Sequence, residues 1–129
     1  MGYILANLWP ILAATGTGLL IGIGYAWLLG GAPALLGRPL WLILAILAEF
    51  WLAAILAGAL IVAPVQVGRW VVAIGSAIVI WLGFVVPTLV TGYGFRSQGA
   101  GAAVGDALHW LAVMVAQSVV LQAIGLTHP

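Results

Sequence analysis

Apolar side chains fill this chain in four long blocks, each closed by a short cluster of Gly, Pro or Arg. A helix needs roughly 20 apolar residues to cross the hydrocarbon core of a bilayer, and each block is about that long. The pattern predicts spans over 5–29, 39–62, 70–91 and 103–124. The connections 30–38 and 63–69 carry Gly30, Gly31, Pro33, Gly37, Pro64 and Gly68, the turn formers expected between packed helices. Both are short, so consecutive spans should run antiparallel. The expected fold class is all-α, a single domain over 1–129 forming an integral membrane bundle of four transmembrane helices. The third connection, 92–101, is read as the longest and most polar, with Tyr93, Arg96, Ser97 and Gln98 among several glycines.

Within the blocks, small residues recur at helical spacing. Ala14, Gly18, Gly22 and Ala26 form a stripe every fourth residue on the first helix. Ala45, Glu49, Ala53 and Ala57 do so on the second, Gly75, Val79 and Gly83 on the third, and Ala112 and Ala116 on the fourth. Helices in lipid gain little from burying apolar surface against one another, so close approach at small residues is what lets them associate. Gly18, Gly22, Ala45, Ala53 and Gly83 are the expected packing positions.

Aromatic residues fit the same frame. Trp9 and Trp27 stand 18 residues apart, about 27 Å along a helix and close to the thickness of the hydrocarbon core. Trp41 and Trp70 open the second and third spans, where an indole ring prefers the interface. Trp51 and Trp81 fall in mid-span and are expected to pack or to face lipid.

Composition narrows the possibilities further. Hydrophobic residues make up 66% of the chain and charged residues 4%, against about a quarter charged in soluble domains. Four spans leave no room for a catalytic domain outside the membrane. Three arginines, one to each connection, are too few for a nucleic-acid surface, so no nucleic-acid partner is expected. The first block lacks a preceding Lys or Arg and exceeds the apolar core of a secretory signal, so it is read as a retained span. Even crossings place both ends with the second connection. Arg38 and Arg96 on the other side would then be cytoplasmic by the positive-inside rule, with the ends outside.

The rare polar residues carry the functional expectation. Glu49 lies near mid-span, where an acidic side chain costs about 2.5 to 3.5 kcal/mol on insertion scales. It should therefore face protein and find a partner. Asp106 and His109 are three apart at the start of the fourth helix, on one face continued by Gln117. Asp106 also suits the positive end of the helix dipole. Pro87 removes a backbone donor in the third helix and should bend it beside Thr88, and the first helix ends in this half with Tyr25. The predicted polar pocket comprises Tyr25, Glu49, Thr88, Asp106, His109 and Gln117, with His109 about 6 Å shallower than Glu49 along the helix axes. Its ligand types do not complete a metal site, no other cofactor motif is present, and no nucleophile constellation points to an enzyme.

The motifs GIGYAWLL, LLGRPLW, WLGFVVPT and DALHWL, in that order, are similar to those of the small bacterial membrane proteins of domain-of-unknown-function family 1761. Gly37, Arg38 and Trp41 match a glycine-basic-aromatic turn, Trp81, Gly83 and Phe84 a third-helix element, and Asp106 and His109 the polar start of the last helix. The resemblance implies four helices in a bacterial inner (cytoplasmic) membrane and no particular activity. Two functions are expected from the residues: a proton- or small-solute-linked pocket around Glu49 and His109, or a homo-oligomeric or accessory subunit of a larger membrane complex. In either, the bilayer is the first partner.

Overall fold

The computed structural model describes residues 2–31, 33–64 and 66–128, and among them every regular element is helical. A short helix α1 (Gly2–Ala6) leads into α2 (Leu8–Leu28). A 3₁₀ turn (Ala34–Gly37) precedes α3 (Pro39–Val62). The third span is α4 (Arg69–Ile80), a π-helical turn (Trp81–Val85) and α5 (Val86–Phe95) in continuous succession, and α6 (Ala100–Ile124) completes the bundle. Four helical units among the described residues are long and apolar enough to cross a membrane: Leu8–Leu28, Pro39–Val62, Arg69–Phe95 and Ala100–Ile124.

Local chemistry explains most boundaries. Pro39 opens α3 at a position where its missing N–H would have had no helical partner. Pro10 is tolerated in the first turn of α2 for the same reason. Gly125, at φ 91°, closes α6 with a left-handed backbone that side chains resist.

Three boundaries depart from the sequence pattern. The first block is broken at Asn7, whose φ of −118° and ψ of 26° part α1 from α2, where a continuous span from residue 5 was expected. Asn7 Nδ2 donates to the Thr127 carbonyl at 3.0 Å, and the Thr127 N–H returns a bond to Asn7 Oδ1 at 2.6 Å. The two ends of the chain are thereby clamped together. The third span runs to Phe95, beyond the expected residue 91, and the fourth begins at Ala100, ahead of 103. Only residues 96–99 remain as the third connection, which is short and not the long polar loop that its glycines implied. Gly92 and Gly94 lie inside the helix, because Tyr93 between them donates its hydroxyl proton to Asp106 Oδ2 and ties α5 to α6.

The third helix also meets its proline differently. The Val86 N–H donates to the Trp81 carbonyl five residues back, so the wider turn just ahead of Pro87 takes up the ring and the lost donor.

α6 packs against all three other spans, most extensively against α2, while α3 meets both α2 and α6. The core is built from Ile11 and Ala14 of α2, Ala53, Leu56 and Ala57 of α3, Ala73 and Ala77 of α4, and Met114 and Leu121 of α6. Alanines predominate where helices approach, as expected for association through small residues. Trp9, Trp27, Trp41 and Trp51 lie on the outside, so mid-span Trp51 faces outward, while Trp81 packs against the core.

The polar seam between α2, α3 and α6

The candidate site lies where α3 and α6 meet the glycine stripe of α2. Glu49 is 5% exposed, and Gln117 Nε2 donates to its Oε2 at 2.6 Å. The same nitrogen lies 3.4 Å from the Glu49 carbonyl, so the amide spans both the main chain and the side chain of one residue. Gly18 makes the pair possible. A Cβ built there would fall onto Glu49 Oε2 and Gln117 Nε2, so only a glycine lets three helices converge on the carboxyl. Gln117 Oε1 is buried without a partner, as is Ser118 Oγ. The seam thus holds an acceptor with no donor, a cost of about 1–3 kcal/mol for a neutral group.

One turn further along α2, Gly22 faces His109, whose Nε2 is 3.4 Å from the position a Cβ would take. Tyr25 packs edge-on against the imidazole, with ring centroids 4.9 Å apart and planes at 70°, and its hydroxyl donates to the Gly105 carbonyl at 2.8 Å. Gly18 and Gly22 are four residues apart, about 6 Å along the axis, so Glu49 and His109 occupy successive levels of one seam. Tyr25, Glu49, His109 and Gln117 therefore all meet at the α2 face.

The other two expected members stand elsewhere. Asp106 is half-buried and turns to Tyr93 at the α5–α6 end of the bundle. Thr88 is exposed and returns its hydroxyl proton to its own helix, donating to the Phe84 carbonyl at 2.6 Å. A threonine that can bond the carbonyl four residues back needs no partner on another helix. Among the described residues, no three His, Asp or Glu side chains converge.

The packing positions divide in the same way. Gly18 and Ala53 are buried, and Gly22 and Ala45 are half-buried. Gly83 is exposed, with nothing within 4 Å of where its Cβ would lie. The buried small residues of the third span are instead Ala73 and Ala77, and the fourth helix buries Val113, Met114, Gln117 and Ser118 while Ala112 is exposed. Neither tryptophan hydrogen bonding nor the terminal clamp was read from the sequence. Trp81 Nε1 donates to the Ala107 carbonyl at 2.7 Å, linking the π turn to α6. The one sequence signal available was a mid-span tryptophan, whose N–H needs an acceptor away from water.

A cleft of about 430 Å³ opens on the outer side of the seam between α3 and α6. It runs from Arg38 along Trp41 and Ala45 to Glu49, with Trp110 opposite. Glu49 thus touches Gln117 on one side and borders this cleft on the other.

Comparison of the chain with protein-family models, with curated proteins and with solved structures finds no match.

Proposed function

We propose that this is a small multi-pass protein of the bacterial cytoplasmic membrane in which Glu49 and Gln117, continued by His109 and Tyr25, form a proton- or small-solute-linked pocket. The observation that carries this reading is the position of Glu49: 5% exposed, midway along a 24-residue span, with an amide as its side-chain partner. An acidic group at such depth is costly and marks functional positions in membrane helices. The chemistry of the pair suits the role. A carboxylate accepts from the Gln117 amide, whereas a protonated carboxyl has a hydroxyl to donate, and Gln117 Oε1 is an acceptor without a partner. With the Gln117 amide turned over, a protonated Glu49 would donate to that oxygen, so gain or loss of one proton would change which side donates in the hydrogen bond joining α3 to α6.

The bacterial assignment rests on the motif resemblance described above, and the proposed orientation, with both ends outside, rests on the distribution of Arg38, Arg96 and Arg69. The protein reconstituted in liposomes with an enclosed pH-sensitive dye tests the pocket. Wild type is expected to pass protons under an imposed gradient and Glu49→Gln to pass far fewer. Equal flux through the two would remove Glu49 from the mechanism.

A second reading, a homo-oligomeric or accessory subunit of a larger membrane complex, is favoured by the third span. Only Ala73 and Ala77 are buried along it, and Gly83 stands open on its outer face. Mass measurement after extraction in gentle detergent tests this: a mass of 13.3 kDa plus detergent alone would exclude it.

A further inference from the structure

The cleft between α3 and α6 has the dimensions and charge of a lipid site. Residues 41, 45 and 49 follow one another at four-residue intervals, so Trp41, Ala45 and Glu49 share one face of α3, and Arg38, the extended residue that precedes the helix, continues the lining at its N-terminal end. Leu35 of the 3₁₀ turn borders the mouth, and Trp110 of α6 forms the facing wall. From Pro39 to Glu49 is 11 residues of helix, about 16 Å, which is half of the ~30 Å hydrocarbon core. The cleft is therefore as deep as one leaflet. It opens laterally: Trp41 and Leu44 on its rim are 58% and 45% exposed, so a molecule already in the bilayer can enter sideways. A volume of about 430 Å³ lies within the ~300–1,000 Å³ of ordinary ligand pockets.

Charge decides which lipid. Arg38 sits at the N-terminal end of α3, exposed, and makes no capping hydrogen bond with its side chain. A guanidinium at the interface matches a phosphate with two parallel N–H donors, and like-charge repulsion disfavours a head that carries a cation beside its phosphate, so a net-negative head is preferred. Below it the wall is apolar until Glu49, and Glu49 already holds Gln117. A chain with a negative head and an apolar tail meets all of these features in order.

We infer that the cleft seats one acyl chain of an anionic phospholipid from the leaflet on the Arg38 side, with the lipid phosphate against Arg38. The second chain stays in the bilayer, outside the rim. This goes beyond the proton-linked reading, and lipid retention is measured without any flux, so each can fail without the other.

Native mass spectrometry of the delipidated full-length protein tests the inference. Phosphatidylglycerol and phosphatidylcholine with the same acyl chains are added at equal concentration, and the fraction of protein carrying one lipid is read. Wild type is expected to retain phosphatidylglycerol about fivefold better, the preference one arginine contributes beside an anionic head. Arg38→Gln, at an exposed site, should abolish that preference, whereas Arg69→Gln on the opposite side should keep it. Ala48→Phe, an exposed residue lining the cleft, should reduce retention of both lipids by occupying the chain's volume. Glycerol phosphate, the head without chains, should not displace the lipid. Equal retention of the two lipids by wild type, equal effects of the two arginine variants, or displacement by glycerol phosphate would each overturn the proposal. So would a two-chain mass lost in Ala48→Phe, which would seat a second copy of the protein in the cleft.

Discussion

Gln117 of α6 reaches across the bundle to Glu49 of α3 and holds its carboxyl with a 2.6 Å hydrogen bond directly over Gly18 of α2. Three helices meet at this point through one acid, one amide and one missing side chain. Replacing Gln117 by Leu keeps the volume but leaves Glu49 buried without its donor. The expected loss is about 1–3 kcal/mol or more, the cost of stranding a buried polar group. Glu49→Gln should cost less, because two amides can still pair. Thermal unfolding in detergent followed by circular dichroism checks the order, and a Gln117→Leu variant as stable as wild type would show that the bond contributes nothing.

Gly18→Ala places a methyl group on the carboxyl and the amide at once, and α2 must move away from α3 and α6 to admit it. Overpacking of this kind costs about 1–3 kcal/mol. Gly16→Ala, two residues away on the opposite, exposed face with nothing near its Cβ position, is expected to be neutral or stabilising by up to about 1 kcal/mol. The contrast between two glycine-to-alanine changes in one helix isolates the contact from helix propensity, and equal melting temperatures for the pair would contradict the seam geometry.

Asn7 joins the start of the first span to the end of the fourth through both atoms of its amide. Asn7→Ala removes this clamp and leaves the Thr127 N–H without its partner, and a loss of about 1–3 kcal/mol follows. The effect should be local. Hydrogen exchange is expected to quicken at residues 2–8 and 124–128 while the middle of α3 keeps its protection.

Tyr93 and Asp106 fasten the α5–α6 connection, and Tyr93→Phe cuts the bond without changing the ring. Faster exchange over residues 92–104 in Tyr93→Phe is the expected result. An unchanged exchange profile would mean that the short backbone connection alone sets the hairpin.

The sequence contains no cysteine, so single cysteines can report sidedness directly. Gln66→Cys in the second connection and Gln98→Cys in the third should react from opposite sides with a membrane-impermeant maleimide. With both ends outside, Gln66→Cys is labelled in intact cells and Gln98→Cys only after permeabilisation. The reverse pattern would invert the proposed orientation.

Much of the architecture follows from the sequence alone, because a backbone in hydrocarbon must satisfy its own hydrogen bonds and a run of apolar residues of bilayer length has the helix as its one open solution. The four spans are consequences of that constraint, their antiparallel order follows from the short connections, and the inward turn of Glu49 follows from the cost of leaving an acid against an apolar surround. Rotation of each helix about its axis is not, since a helix that is apolar all round carries little periodic signal to orient it. That is why Gly83 and Ala112 lie outward although their spacing matches a packing stripe, and why the buried positions are Ala73 and Ala77 in the third span and Val113, Met114, Gln117, Ser118 and Leu121 in the fourth. The tertiary structure also decided the partners of the polar residues. Thr88 bonds to its own helix, Asp106 is taken by Tyr93, and Glu49 is taken by Gln117, because a polar group removed from water is costly unless it pairs, and which partner it finds depends on the atoms that packing brings within reach.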